Sequence, residues 1–326
     1  MPVLLTEQDV RIVLSMPDLI EAMERALAGF SSREVAQPLR SVIEVGLQRA
    51  FVGVMPAFIP EPAALGTKVV SVFGSNTAVG LPTHLATIVL LDPMTGELLS
   101  IMDGRFITEA RTAAVSAVSV RHLAHRDASR LAIIGSGVQA RSHLEAVALV
   151  RDLREVRVWS RSLDNRTSFA REMRSHVDAP VTVAASARDA VDGADLIVLA
   201  TSSREPVVRS EWIADGAHVC AVGACRPDQR EMDTELVGRG RIFVDSRTGA
   251  LAEAGDIVIP MKAGVFDETR LAGELGEVVM GTVAGRTSPS EVTVFKSLGM
   301  AVEDVAAAHL AYIKAVERGL GRGIVL

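Results

Sequence analysis

The stretch Leu131-Ala132-Ile133-Ile134-Gly135-Ser136-Gly137-Val138-Gln139-Ala140 decides how the rest of the chain reads. An apolar strand runs into a glycine turn, and a helix follows that repeats Ala140, Leu144 and Val147 on one face. Gly135 permits the tight turn, and Gly137 lets the backbone approach a pyrophosphate. Ala140 takes the helix-packing position, where the pattern accepts alanine. An anion can then rest on the unpaired N–H groups of the helix N-terminus. A bare glycine motif also fits an ordinary strand-to-helix turn. Here a second apolar strand, Val156–Trp159, follows at the required distance, and the context favours a bound dinucleotide.

Working outward, short apolar runs alternate with helical stretches: Leu131–Ile134, Val156–Trp159, Val181–Val183, Leu196–Ala200, Val219–Val222, Ile242–Val244 and Val292–Phe295. Continuous apolar strands separated by helices predict a parallel sheet covered on both faces, an α/β domain of Rossmann type. The N-terminal part has another texture. A helix enters at Ser15 with Pro17 in its first turn, then strand-like stretches occupy Ser41–Phe58, Leu65–Phe73, Leu85–Leu91 and Leu98–Met102. Short connections between them predict an antiparallel sheet. Arg111–Ala117 opens a helix of small residues, and the final helix, Met300–Arg318, falls after the alternation ends and can return to the N-terminal part. The expected division is 1–115 with 300–326 against 116–299.

With 326 residues, 48% of them hydrophobic, the chain can bury a sizeable core. A net charge of −6 argues against nucleic acid, and no apolar run is long enough to span a bilayer. The N-terminus lacks a secretory pattern, and Cys220 and Cys225 form neither a disulfide framework nor a zinc site. The cytoplasm is the expected compartment. Lys68, Lys262, Lys296 and Lys314 are the only lysines.

After the second strand an NAD site expects Asp or Glu for the ribose 2′-OH. This chain has Ser160-Arg161-Ser162. Arg161 can pair with a 2′-phosphate and both hydroxyls can donate to it, which favours NADP(H) over NAD(H). A solvated surface arginine is the competing reading. Thr112 is a candidate donor to a cofactor phosphate at its helix start. Lys296 ends the last strand, where an open α/β sheet places its ligands, and is a further cofactor candidate. An N-cap formed by Ser297 is the alternative there.

Gly66-Thr67-Lys68-Val69, Thr108-Glu109-Ala110-Arg111-Thr112-Ala113-Ala114 and the glycine turn together resemble the ornithine cyclodeaminase/mu-crystallin family, over essentially the whole chain. Val222–Asp228 and Val294–Asp304 look most like the mu-crystallin branch. The resemblance implies a Rossmann domain inserted into a discontinuous α+β substrate and dimerisation domain, and hence a homodimer. It also matches Arg40, Lys68 and Arg111 to substrate-binding positions and places Thr83-His84 near the nicotinamide. Arg40 and Arg111 are assigned to a substrate carboxylate, Lys68 to that carboxylate or to proton transfer, and His84 to proton delivery. From residue type alone each has a plainer role: Lys68 as a charge on a strand edge, Arg111 paired with Glu109 or Asp103, Arg40 and His84 as loop residues.

One departure narrows the chemistry. Cyclodeaminases carry a catalytic Asp where this chain has Cys225. The expected activity is therefore NADPH-dependent reduction of a ketimine or cyclic imino acid, or a related amino-acid dehydrogenation. Ornithine or lysine cyclodeamination and non-catalytic, NADPH-dependent binding of a small ligand are the alternatives.

Overall fold

The computed structural model describes residues 1–46 and 50–325, so positions 47–49 of the expected strand region lie outside the described residues. The chain divides into two compact units, Met1–Arg111 with Met300–Leu326, and Thr112–Gly299. The division falls inside the helix Arg105–Leu123, which also contains the expected boundary at 115.

The first unit opens with strand β1 (Val3–Leu5) and helices α1 (Glu7–Val13) and α2 (Met16–Ser31). The α2 N-terminus is capped by Ser15, whose side chain accepts from the Asp18 N–H, and Leu19, Ile20, Met23, Ala26 and Leu27 form its buried face. Strands β2 (Ser41–Val45), β3 (Ala50–Pro60), β4 (Ala63–Val72), β5 (His84–Leu91) and β6 (Leu98–Asp103) follow. They pair antiparallel in sequence order, as the short connections predict. The sheet is nevertheless mixed, because β1 joins β6 in parallel. Burial alternates along β3 from Gly53 onward and along β4 from Ala64 to Val70: Met55, Ala57 and Ile59 on one strand, and Gly66, Lys68 and Val70 on the other, point to the buried face. Helix α3 (Arg105–Leu123) then carries the chain into the second unit.

There the chain alternates β7 (Arg130–Ile134), α4 (Val138–Ala148), β8 (Glu155–Trp159), α5 (Leu163–Met173), β9 (Val181–Val183), α6 (Ala187–Val191), β10 (Leu196–Leu199) and β11 (His218–Ala221). It continues through α7 (Thr234–Arg239), β12 (Arg241–Val244), α8 (Arg247–Glu253), α9 (Gly255–Lys262), β13 (Leu271–Glu274), α10 (Leu275–Val279) and β14 (Thr293–Lys296). All pairings in this eight-stranded sheet are parallel, in the order β13-β12-β14-β11-β10-β7-β8-β9. Two apolar clusters pack against it, one containing Ile134, Leu199 and Val244, the other Ile133, Leu144 and Val198. Strand order reverses between β7 and β10, the point at which open sheets of this kind bind ligands. Helix α11 (Ala301–Glu317) and strand β15 (Arg322–Gly323) return to the first unit, where β15 pairs antiparallel with β1.

Candidate functional site

In the second unit the glycine turn has the geometry its sequence implies. Gly135 adopts φ 129°, and a Cβ there would lie 2.5 Å from the Ala200 carbonyl oxygen, so no other residue fits. Its N–H donates to the Trp159 carbonyl at 2.8 Å, which fastens the turn to β8. Gly137 is the N-cap of α4 and faces open space, and no side chain caps the helix. Val138 is exposed, Gln139 has a side-chain oxygen without a partner, and Ala140 is buried against the sheet. An uncapped helix end with room before it suits a pyrophosphate.

Ser160, Arg161 and Ser162 follow β8. Ser136 Oγ donates to Ser160 Oγ at 2.9 Å, and Ser160 in turn donates to the Ser162 carbonyl. The Ser162 hydroxyl accepts from the Asn165 N–H and caps α5, so its oxygen has structural work besides any cofactor contact. Arg161 is exposed. Thr112 needs correcting: it lies in the interior of α3, largely buried, because the helix begins at Arg105 and not at Arg111. Lys296 also differs from expectation. It is 0% exposed and its Nζ lies 3.2 Å from Asp256 Oδ2. Nor does Ser297 cap the following helix, since Met300 is the N-cap and the Ser297 hydroxyl donates to Asp245.

The first unit gathers a cationic group on its buried sheet face. Lys68, on β4, is 2% exposed, with Nζ 2.5 Å from Asp304 Oδ2 and 3.4 Å from Thr108 Oγ1. Arg111, one turn beyond Thr108 on α3, donates from Nε to Asp304 Oδ1 at 2.9 Å and from Nη1 to Glu303 Oε2 at 2.5 Å. Glu303 and Asp304 are fully buried in the first turn of α11. The plain expectation that Arg111 pairs is met, and two of its partners, Asp304 and Glu303, lie far along the chain. Neither acid was legible as a site residue. Two adjacent carboxylates among Ala301, Val302, Val305 and Ala307 were the available signal, since acids in an apolar helix face must find partners.

The electrostatics follow from this packing. Burial lowers the Lys68 pKa most; the Asp304 carboxylate opposes the fall, Arg111 and Arg40 add to it, and the result is about 8. Burial opposes ionisation of Asp304, but Arg111 and Lys68 outweigh it and hold its carboxyl below the usual range. His84 opens β5 and is held at about 4, first by burial and then by Lys68 and Arg111. It is therefore neutral near pH 7 and cannot deliver a proton as imidazolium. Thr83 precedes it and fixes the loop by accepting the Phe73 N–H at 2.8 Å. Arg40 stands in the approach to β2, close enough to act on Lys68. The unit thus brings together Lys68, Arg111, Arg40 and His84, with two carboxylates added.

A parallel sheet with a glycine turn at its reversal point, joined in one chain to a buried lysine whose proton is labile near neutrality, defines a nicotinamide-dependent oxidoreductase. The chain belongs to the ornithine cyclodeaminase/mu-crystallin family, whose model matches residues 1–319. It is 43% identical over 315 residues to the mouse (Mus musculus) ketimine reductase mu-crystallin, covering 95% of this chain and 96% of that protein. The solved structure of Thermococcus litoralis Delta(1)-pyrroline-2-carboxylate reductase in complex with NADH and L-proline matches with a TM-score of 0.97 at 42% identity, over 99% of this chain and 100% of that one. An archaeal alanine dehydrogenase dimer with bound NAD matches with a TM-score of 0.95 at 31% identity, over 99% of each chain. This protein is accordingly an oxidoreductase of C–N bonds.

Proposed function

We propose that the chain reduces the C=N bond of a small cyclic imino acid such as a pyrroline- or piperideine-2-carboxylate, with NADPH preferred over NADH. The observation that carries this reading is Lys68: a buried ammonium poised at about 8, beside Asp304 and two arginines. The names of the mouse and Thermococcus relatives agree with the reduction, and the Thermococcus complex holds NADH. Gly135, Gly137 and the α4 N-terminus hold the pyrophosphate, and Arg161 with Ser160 takes the 2′-phosphate. When bound, the nicotinamide supplies the hydride.

Everything else is work for this chain's own side chains. Arg40 and Lys68 hold the substrate carboxylate, and Lys68 is protonated at neutral pH and can give its proton to the substrate nitrogen. Arg111 has Nε and Nη1 committed to Asp304 and Glu303, so its main task is to fix the cationic group in place. His84 stays neutral and contributes a polar wall without adding charge. Cys225 donates its thiol proton to the Val222 carbonyl at 3.3 Å and offers no carboxylate, which speaks against cyclodeamination.

We further propose a homodimer. The outer face of the first unit's sheet exposes Ile43, Val54, Phe58, Val69 and Leu85, an apolar surface that a second copy of the chain would cover. The archaeal relative is described as a dimer. Among the described residues no helix is long and apolar enough to cross a membrane. The free thiols of Cys220 and Cys225 suit the reducing cytoplasm in which we place the enzyme.

The direct test offers NADPH and NADH separately with a panel of cyclic imino acids and follows the reduced-nicotinamide absorbance. Consumption with at least one member, faster with NADPH, is expected. No consumption with any member refutes the activity, and equal rates with both cofactors refute the preference.

A further inference from the structure

A second buried charged group lies in the Thr112–Gly299 unit, behind the carboxyl ends of β10, β11 and β14, and the reaction as described does not use it. Glu231, Asp256 and Lys296 are each 0% exposed. Glu231 Oε1 accepts the Thr201 N–H at 2.6 Å, and Oε2 accepts those of Gly223 at 2.7 Å and Ala224 at 3.2 Å. Thr201 belongs to the loop leaving β10, and Gly223 and Ala224 to the loop leaving β11. These loops meet backbone to backbone: a Cβ on Gly223 would lie 2.0 Å from the Thr201 carbonyl oxygen. Asp256 Oδ1 in turn accepts the N–H groups of Glu231 at 2.8 Å and Met232 at 3.0 Å, while Oδ2 faces Lys296. One carboxylate therefore supplies acceptors to two loops, and a second carboxylate, paired with a lysine, holds the first in register.

We propose that Glu231 is a positioning residue of the cofactor site, whose carboxylate fixes the spacing of the two loops that border the crevice at the carboxyl ends of β10 and β11. Ligands of open parallel sheets bind in that crevice beside the reversal of strand order. The inference rests on the second unit being the dinucleotide-binding one. Gln in place of Glu231 keeps the size but substitutes an amide NH₂ for one acceptor oxygen, so an N–H of one loop faces another donor. The loops then lose their common anchor.

The charged groups facing Glu231 are Lys296 from β14 and Asp256 from α9. Burial pushes its carboxyl up, Lys296 opposes, Asp256 adds, and the value is about 7. A folded value above the ordinary 4.5 means that the carboxylate is complete above pH 8 and is lost as pH falls through 7. Cofactor affinity should fall with it.

The experiment measures the Kd of NADH, chosen because it has no 2′-phosphate to titrate, by fluorescence from pH 6 to 8.5 for the wild type and Glu231→Gln. The expected result is a wild-type affinity that weakens below pH 7, and a variant about tenfold weaker at pH 8 with a flat profile. A folded variant with wild-type Kd and pH dependence overturns the proposal. If that variant does not fold, Glu231→Asp is measured instead: it keeps the charge but draws the carboxylate back from the loops, so a weakened NADH Kd is expected and a folded variant with wild-type Kd overturns the proposal. Failure of the wild type to bind either NADH or NADPH at any pH overturns the reading of the unit itself, a distinguishable outcome.

Discussion

Replacing Asp304 by Asn tests the proton-transfer role of Lys68 more sharply than deleting the lysine does. The substitution keeps the side-chain volume and an oxygen for the Arg111 Nε–H, and removes the negative charge that sits 2.5 Å from Lys68 Nζ. An ion pair this close interacts by at least roughly 4 kcal/mol, the value for two charges about 4 Å apart at an effective dielectric of about 20. At 1.36 kcal/mol per pH unit that is about 3 units, which takes Lys68 from about 8 towards pH ~5. At pH 7 the lysine then passes from mostly protonated to about one molecule in a hundred. If its ammonium protonates the substrate nitrogen, kcat/KM for imine reduction falls on the order of a hundredfold at pH 7 and recovers as pH is lowered. The assay is the pH profile of kcat/KM for NADPH-dependent reduction of pyrroline-2-carboxylate. The substrate's own titration is common to both enzymes, so the displacement of the alkaline limb isolates the lysine. A folded, cofactor-binding variant whose alkaline limb stays at the wild-type position refutes the assignment.

Other outcomes follow from the same structure. Arg161→Asp should weaken NADPH on the order of a hundredfold while leaving NADH within about threefold, since a carboxylate repels the 2′-phosphate; equal effects on both Kd values would sink the cofactor preference. Val54→Lys with Phe58→Lys places charge on the apolar sheet face and should convert the proposed dimer to monomer in sedimentation, whereas an unchanged dimer mass would remove that face from the interface. His143 and His218 are buried and neutral, at about 4 and about 3, where unfolded histidine titrates near 6.5. The unfolded state binds more protons between those values, so stability is full above pH 6.5 and lost as pH falls towards 4, by on the order of 3 kcal/mol for His143. His143→Gln should shrink that limb by about half in thermal melts at pH 6.5 and 4.5, leaving the share of His218, and an identical limb would contradict the account.

The parts of the fold that sequence made legible are those where one local constraint decides the residue. Gly135 must be glycine because of its φ and the Ala200 carbonyl, and apolar runs such as Leu196–Leu199 must be buried on both faces. The parts that escaped depend on distant partners. β1 and β15 are too short to show alternation, and β13 (Leu-Ala-Gly-Glu) lacks β-branched residues, so its stretch reads as loop. The start of α3 was missed because Gly104 and Arg105 follow a strand directly, which displaced Thr112 from helix interior to helix start. In the site, Lys68 and Arg111 were visible as isolated cations. Glu303 lies 192 residues from the arginine it binds, and no local pattern connects them.

Lys68 and Lys296 show why burial alone does not identify a catalytic lysine. Both are enclosed, both lie on strands (Lys68 in the middle of β4, Lys296 at the end of β14), and both pair with a buried aspartate. Burial drives both towards the neutral amine. What differs is the company. Lys68 has Arg111 and Arg40 beside the Asp304 it pairs with, so like charges reinforce desolvation and its proton becomes labile near neutrality. Lys296 has Asp256, Cys225 and Glu231 around it, and these outweigh burial and hold its pKa above the ordinary value. A group that cannot release its proton near pH 7 is no acid for this reaction, but it is a durable counter-ion for a carboxylate that must keep its place. On the proposed assignments the same residue type serves chemistry in one unit and architecture in the other, and the sign of the surrounding charge decides which.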